Sequence, residues 1–571
     1  MTISQDRPYV PQDFDPSDFA NIEPLGRELL QRPVKTPADL RRWLADLSEL
    51  WAFISEAGSR RNIQAACHTD DPQIEARFLH WVREIQPRLA PLFFEIQKRY
   101  LALPVRQQTN DPALALMGRQ WEADVSIFRP ANIPLFTRQS ELAKDYGKIT
   151  GSMTVEFRGH TYTLQQLARF LEEPDRSTRQ EAWELMTRRR LQDRDRLDDL
   201  FDELLGLRHQ LALNADFDNF RQYAWIEKNR FDYTPDDCLD FGDAVEKICV
   251  PLVEQLDLRR RQELGLDTLR PWDASVDPHN RPPLRPFDET DINHFVDGCT
   301  EIFQRFAPVL AEQFKSLKTN GDLDLESRKA KRPGGFQASL EHVRRPFIFM
   351  NAAGLHRDIE TLLHEGGHAF HYLHARDIEN IFLRHAPLEF CEVASMVMEL
   401  LGCEHFNVFY PNPLDAARAK RQQLEGIIRL LPWIATIDGF QHWLYTHPGH
   451  SRAQRTQAWL DLLERFGSSV VDWTGYEPAH EAMWQRQGHL YNAPFYYIEY
   501  GIAQLGSMQV WLNHRQNPAD ALNRYLSALS LGGTKPLPDL FEAAGAQFKF
   551  NADTLKPLID ALGKELDTLP A

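Results

Sequence analysis

The chain has 571 residues, 43% of them hydrophobic and 26% charged, with a formal net charge of -17. That length allows large buried cores and more than one structural unit. So acidic a balance argues against nucleic acid as the main partner, and no apolar run approaches the ~20 residues that a membrane helix requires.

The opening MTISQDRPYV has no basic stretch followed by an apolar one, so no secretory leader is expected. Cys67, Cys238, Cys249, Cys299, Cys391 and Cys403 are scattered without paired spacing and read as reduced, buried thiols of a cytoplasmic protein. The first ~35 residues, rich in proline and aspartate, are expected to drape over the surface. A helix then starts at Thr36-Pro37-Ala38-Asp39, with a capping hydroxyl, a proline in the first turn and an acid three residues on. Leu40, Trp43, Leu44, Leu47, Trp51 and Ile54 follow at helical spacing, and the pattern continues to about residue 105. Ser152–Phe157 and His160–Thr163 alternate around Arg158-Gly159, which predicts a small hairpin. Helical spacing resumes at Leu164 and again after Pro174-Asp175, running through an arginine-rich segment. The proline-dense Arg270–Phe287 and the basic Lys329–Gly335 read as loops, and Pro346–Asn351 as one short strand. From Asp358 onward the chain reads as helix and loop.

The pattern that carries chemistry is His364-Glu365-Gly366-Gly367-His368. It lies on a helix that Asp358 can cap, with a core stripe of Ile359, Leu362, Leu363, Phe370 and Leu373. Two imidazoles one turn apart share a face and can hold a zinc ion, with the glutamate set against a water molecule. The implied chemistry is metal-assisted hydrolysis, most often of a peptide bond. Each interior glycine costs about 1 kcal/mol relative to alanine, so the backbone must be bare there for a reason. A strand or a substrate backbone packed close is the expected one. A catalytic zinc takes three protein ligands. His374 is a poor third, because His371 occupies the position where a glycine turn is needed and the helical pattern runs on through Arg376. His371 itself lies ~5 Å beyond His368 along the axis and reads as a packed or supporting side chain. The next helix, Pro387 to Gly402, offers Glu389, Glu392 and Glu399, any of which can face the metal.

HEGGHAFH followed by CEVASMVME, together with MTVEFRGHTYTLQQLARFLEEPDRSTRQEAWE, RPWD, GGFQ, FIFMN and PFYYIEYG, resembles the thimet-oligopeptidase-like zinc metallopeptidases, in the oligoendopeptidase F branch. The resemblance runs from about residue 150 to about residue 530. It implies a mainly α fold: a two-lobed helical shell around a deep substrate channel, with a small β-hairpin or sheet and the HExxH helix at the channel floor. We expect an N-terminal helical region with the hairpin over residues 1–200 and a zinc-binding catalytic region over 201–571. The resemblance selects Glu392 as third ligand beside His364 and His368, for one zinc per chain. It assigns Glu365 as the base that takes a proton from water and returns it to the leaving amine. It points to Tyr500, then His489, then Tyr497 and Tyr496, as donors to the oxyanion. Glu399 and Asp358 are expected to support the imidazoles. Phe349-Met350-Asn351 is expected as an edge strand along the substrate, with the Gly334-Gly335 loop closing over it. The implied activity is hydrolysis of internal bonds in short, unstructured peptides, with no nucleic-acid or membrane partner.

Two other readings compete. A zinc carboxypeptidase on a related helical scaffold needs a basic side chain for the terminal carboxylate, and Arg344, Arg345 and Arg486 are available. A peptide-binding protein with a vestigial metal site is expected to have lost the base, whereas Glu365 is present.

Overall fold

The computed structural model describes residues 8–570. The start of the chain, where no leader is expected, lies largely outside them. The first helix, α1 (Phe19–Gln31), begins where the Asp18 side chain accepts the Ala20 N–H, and it buries Phe19, Ile22 and Leu29. The segment expected to drape over the surface therefore contains a packed helix: its apolar stripe outweighs Pro24 within it. Helix α2 (Pro37–Cys67) starts as expected, with Thr36 accepting the Asp39 N–H and the Asp39 carboxylate accepting the Thr36 N–H. Leu40, Trp43, Leu47 and Ile54 of α2 pack with Trp81, Ile85, Tyr100 and Trp121 in a core of their own. A much larger core extends from Ile127 to Leu566.

Helix α3 (Ile133–Gly151) leads into the antiparallel hairpin β1 (Thr154–Phe157) and β2 (His160–Thr163), with Phe157 opposite His160. Arg158 and Gly159 both take positive φ, 51° and 82°. That two-residue turn matches the twist of the strands it joins. Helix α4 (Arg176–Leu191) follows the Asp175 cap. Its Arg176 and Arg179 converge on the buried Asp273, at 2.7 and 2.9 Å, and so tie the Arg270–Asp273 turn to the helix.

A three-stranded sheet consists of β3 (Leu323–Glu326), β4 (Phe336–Leu340) and β5 (Arg345–Ala352), in the order β3-β5-β4. β5 runs parallel to β3 and antiparallel to β4. This corrects the expectation for Phe349-Met350-Asn351. Those residues belong to the central strand, where Phe349 pairs with Asp324 on one side and Phe336 on the other, and the edges of the sheet are β3 and β4. β3 and β4, at four and five residues, are about as short as β1 and β2 but have no glycine-bearing two-residue turn joining them to a partner strand to mark them in the sequence.

Helices α5 (His356–Ala375), α6 (Leu388–Gly402), α7 (Pro413–Thr446) and α8 (Tyr497–Gln516) form the centre of the large core. Asp358 accepts the N–H groups of Ala353 and Leu355 and so fixes the start of α5. It does not reach the imidazoles it was expected to support. α5 crosses α6 at Gly367, where a Cβ would sit 2.5 Å from both the Ala394 carbonyl oxygen and the Ser395 Cα. The bare backbone is therefore required by a neighbouring helix, not by a strand or a substrate. Among the described residues no helix is long and apolar enough to cross a membrane. All six cysteines are free thiols, five of them buried.

Candidate active site

A cavity of about 870 Å³ opens between the two cores. Asn62, Thr69 and Phe78 from the N-terminal region form part of its wall, and His364, Glu365, His489 and Tyr500 lie within it. Gln337 and Ser339 of β4, an edge strand of the sheet, also line it.

The close crossing at Gly367 brings α6 against the histidine face of α5. His364 Nε2 lies 3.2 Å from His368 Nε2, and Glu392 Oε2 lies 3.3 and 3.5 Å from those two nitrogens. Four ligands at the ~2.0–2.1 Å zinc distances of a tetrahedral site are spaced ~3.3 Å apart. The three donor atoms therefore have the separations that one shared cation sets. Glu399 Oε1 accepts from His364 Nδ1 at 2.7 Å, and Gln423 donates to the other oxygen of Glu399 at 3.0 Å. That bond leaves the His364 Nε2 lone pair facing His368 and Glu392. The second carboxylate oxygen of Glu392 is taken by the Tyr496 hydroxyl at 2.5 Å. Burial opposes the ionised Glu392, but the His368 and His364 imidazoles outweigh it and hold the carboxyl well below the usual range.

Glu365 is buried beside this cluster, and its Oε2 has no hydrogen-bond partner. Burial pushes its carboxyl above the ordinary glutamate value. A side chain at Gly335 would come within 3.1 Å of Glu365 Oε1, so the Gly334-Gly335 loop lies directly over the carboxylate.

The other acids and histidines considered from the sequence lie elsewhere. Glu389 accepts from the Tyr233 hydroxyl at 2.6 Å, away from the imidazoles. His374 contacts Gln313 and Ser530. His371 lines the cavity with an unpartnered Nε2, packed edge-on against Phe390, and burial pulls it down to about 3.

On the facing wall His489 Nε2 lies 3.1 Å from the Tyr500 hydroxyl. Gln487, which sequence reasoning missed, sets the roles in this pair. Its Oε1 accepts from Trp433 Nε1 and from the Tyr497 hydroxyl, each at 3.2 Å. Its amide nitrogen is thereby directed to His489 Nδ1 at 2.7 Å. With Nδ1 accepting, the ring proton of neutral His489 sits on Nε2 and is donated to the Tyr500 oxygen. Burial pulls His489 down to about 4, so the ring is neutral near pH 7. The Tyr500 O–H then remains free to donate into the cavity. Tyr497 serves Gln487 and Tyr496 serves Glu392, so the three tyrosines hold different positions in the network.

Helices surround this cluster, and the relatives of the chain place it in the class of peptidases. The sequence profile of Peptidase family M3 matches residues 169–558, more than half of the chain. The chain belongs to peptidase family M3, in its oligoendopeptidase F branch. An oligoendopeptidase F homolog of Borreliella burgdorferi is 26% identical over 263 residues, covering 43% of this chain and 43% of that protein. The Mycoplasma pneumoniae homolog is 24% identical over 480 residues, covering 76% of this chain and 74% of its own length. Among solved structures, PZ peptidase A with an inhibitor superposes with a TM-score of 0.92 at 26% identity, over 98% of this chain and 99% of that one. An X-ray structure assigned as an oligoendopeptidase F gives the same TM-score and identity, over 98% of both chains.

Proposed function

We propose that the protein is a zinc-dependent, cytoplasmic oligoendopeptidase that hydrolyses internal bonds of short, unstructured peptides. The observation that carries this reading is the meeting of His364 Nε2, His368 Nε2 and Glu392 Oε2 at cation-sharing distances, beside an unpartnered buried Glu365. Those three residues would hold one zinc per chain. Bound there, the ion supplies Lewis-acid polarisation of the scissile carbonyl and makes water a nucleophile near neutral pH.

The residues of the chain supply the rest. Glu365 accepts a proton from the attacking water and delivers it to the leaving amine. Its raised affinity for a proton suits a group that must do both. Tyr500 donates its O–H to the developing oxyanion, oriented by His489, which Gln487 in turn holds in one tautomer. Tyr496 fixes the free oxygen of Glu392 and thereby aims the other at the cation site. An extended peptide adds alongside the open edge of β4, main chain to main chain. A cavity of this size suits a stretch of extended peptide better than a folded domain.

The test is cleavage of an internally quenched peptide by the full chain, with products identified by mass. Chelation is expected to abolish cleavage and zinc to restore it. Cleavage that persists after the metal is removed would overturn the assignment.

A further inference from the structure

The cavity holds a concentration of positive charge that the hydrolytic machinery does not use. Most bases lining it have acidic partners. Lys144 and Lys148 are paired with Glu75, and Arg384 and His385 with Glu341. Arg344 and Arg345, considered earlier for a terminal carboxylate, reach Asp377 and Asp322. Arg190 and Arg486 differ. Both line the cavity, and among the described residues neither has a carboxylate within ion-pair distance or a side-chain hydrogen bond. Arg332, also in the lining, lacks a carboxylate too but donates to Asn62 Oδ1 at 3.4 Å and lies over the Phe336 ring. In a chain with 82 acidic side chains against 65 basic ones, Arg190 and Arg486 are thus the lining guanidinium groups with neither an ion pair nor a side-chain hydrogen bond among the described residues.

Their positions are built. Arg190 ends α4. Arg486 closes the short turn Met483–Arg486, directly before Gln487 and His489. The turn is pinned by the Tyr146 hydroxyl, which donates to the Gln485 carbonyl at 3.1 Å, and by Gln485 Nε2, which donates to the Arg194 carbonyl at 3.0 Å. The Arg486 guanidinium lies over the Trp433 ring at 5.3 Å, the same indole that holds Gln487. Arg486 is open to the cavity although protein surrounds it. Desolvation and the neighbouring Arg190 charge pull it down to about 10, so the two cations work against each other until an anion joins them.

We propose that Arg190 and Arg486 form a subsite for a carboxylate of the peptide substrate, supplied by its free C-terminus or by an acidic side chain. The planar guanidinium groups suit bidentate capture of such a group. An extended peptide advances ~3.3–3.6 Å per residue, so a carboxylate held beside the Gln487–His489 wall fixes a short count of residues to the reacting bond. The subsite thus makes the position of an anionic group the ruler for cleavage. The inference rests on the peptidase reading, and its test is arranged so that the two can fail separately.

Binding is measured by titration calorimetry on the full-length Glu365→Gln variant, so that no turnover is needed. One peptide is offered as free acid and as C-terminal amide, and the amide also with one internal Glu or Gln. Cleavage of the same set by wild type is followed by mass spectrometry. If the C-terminus is the anion, amidation weakens binding roughly 10- to 100-fold and raises KM more than it lowers kcat. If a side chain is the anion, the Glu-to-Gln exchange does so instead. In either case Arg486→Gln combined with Arg190→Gln removes the difference between the paired peptides. Equal binding of all peptides by the Glu365→Gln variant would overturn the subsite. If charge-selective binding is seen but wild type cleaves no peptide, the peptidase reading fails and the subsite stands.

Discussion

Helix α2 and helix α5 are both central to their regions, yet they are held by opposite means. α2 is fixed by what its side chains add: Leu40, Trp43 and Leu47 fill a core shared with Trp81, Tyr100 and Trp121. α5 is fixed against α6 by what one position leaves out, since only a missing side chain at Gly367 lets the two backbones approach. Across that second contact lie His364, Glu392 and Glu399, groups that are costly to bury and useful for chemistry. The contrast separates a core filled by side chains alone from a seam, a close backbone crossing, that also places polar atoms.

The separation can be tested from its strongest consequence downward. Glu365→Gln is expected to lower kcat by roughly 10²–10⁴-fold while the melting temperature holds or rises, because a buried carboxylate without a partner becomes neutral. Steady-state kinetics and calorimetry on the same sample check both halves, and full turnover would remove Glu365 from the chemistry. Leu47→Ala, at a fully buried position of the N-terminal core, is expected to do the reverse. It should cost about 2–5 kcal/mol of stability, read from urea unfolding, and leave kcat per folded molecule unchanged. A fall in kcat would show that the two regions are not separable. Gly367→Ala should have a smaller effect on stability, about 1–3 kcal/mol from overpacking, and should also weaken metal retention in dialysis because α6 carries Glu392. Gly426→Ala in α7, where a Cβ meets nothing within 4 Å, is its control and should be neutral or slightly stabilising. Equal behaviour of the two glycine variants would break the account of the seam.

How much of this was legible in the sequence follows from the range of each interaction. The α2 start and the β1–β2 turn obey rules that act within four residues, and both appear where the sequence places them. The spacing of His364 and His368 likewise puts them on one face. Choosing among Glu389, Glu392 and Glu399 needs the rotation of α6 about α5, which spacing leaves open and the Gly367 crossing decides. The same crossing gives Glu399 to His364 Nδ1 and turns Glu389 toward Tyr233. Gln487 was invisible because its partner Trp433 lies on another helix, 54 residues away. The edge strand was misplaced because β3 and β4, which flank β5, lack the glycine-bearing two-residue turn that marked the similarly short β1 and β2.

The segment before residue 169 lies outside the family profile, yet Asn62, Thr69, Phe78 and Tyr146 form a wall of the reaction chamber. From Ile127 onward that segment also belongs to the large core, so it both roofs the two imidazoles and helps to support them. What the enzyme accepts as a meal, as opposed to how it digests it, is therefore inscribed partly in the stretch that the family signature leaves unread.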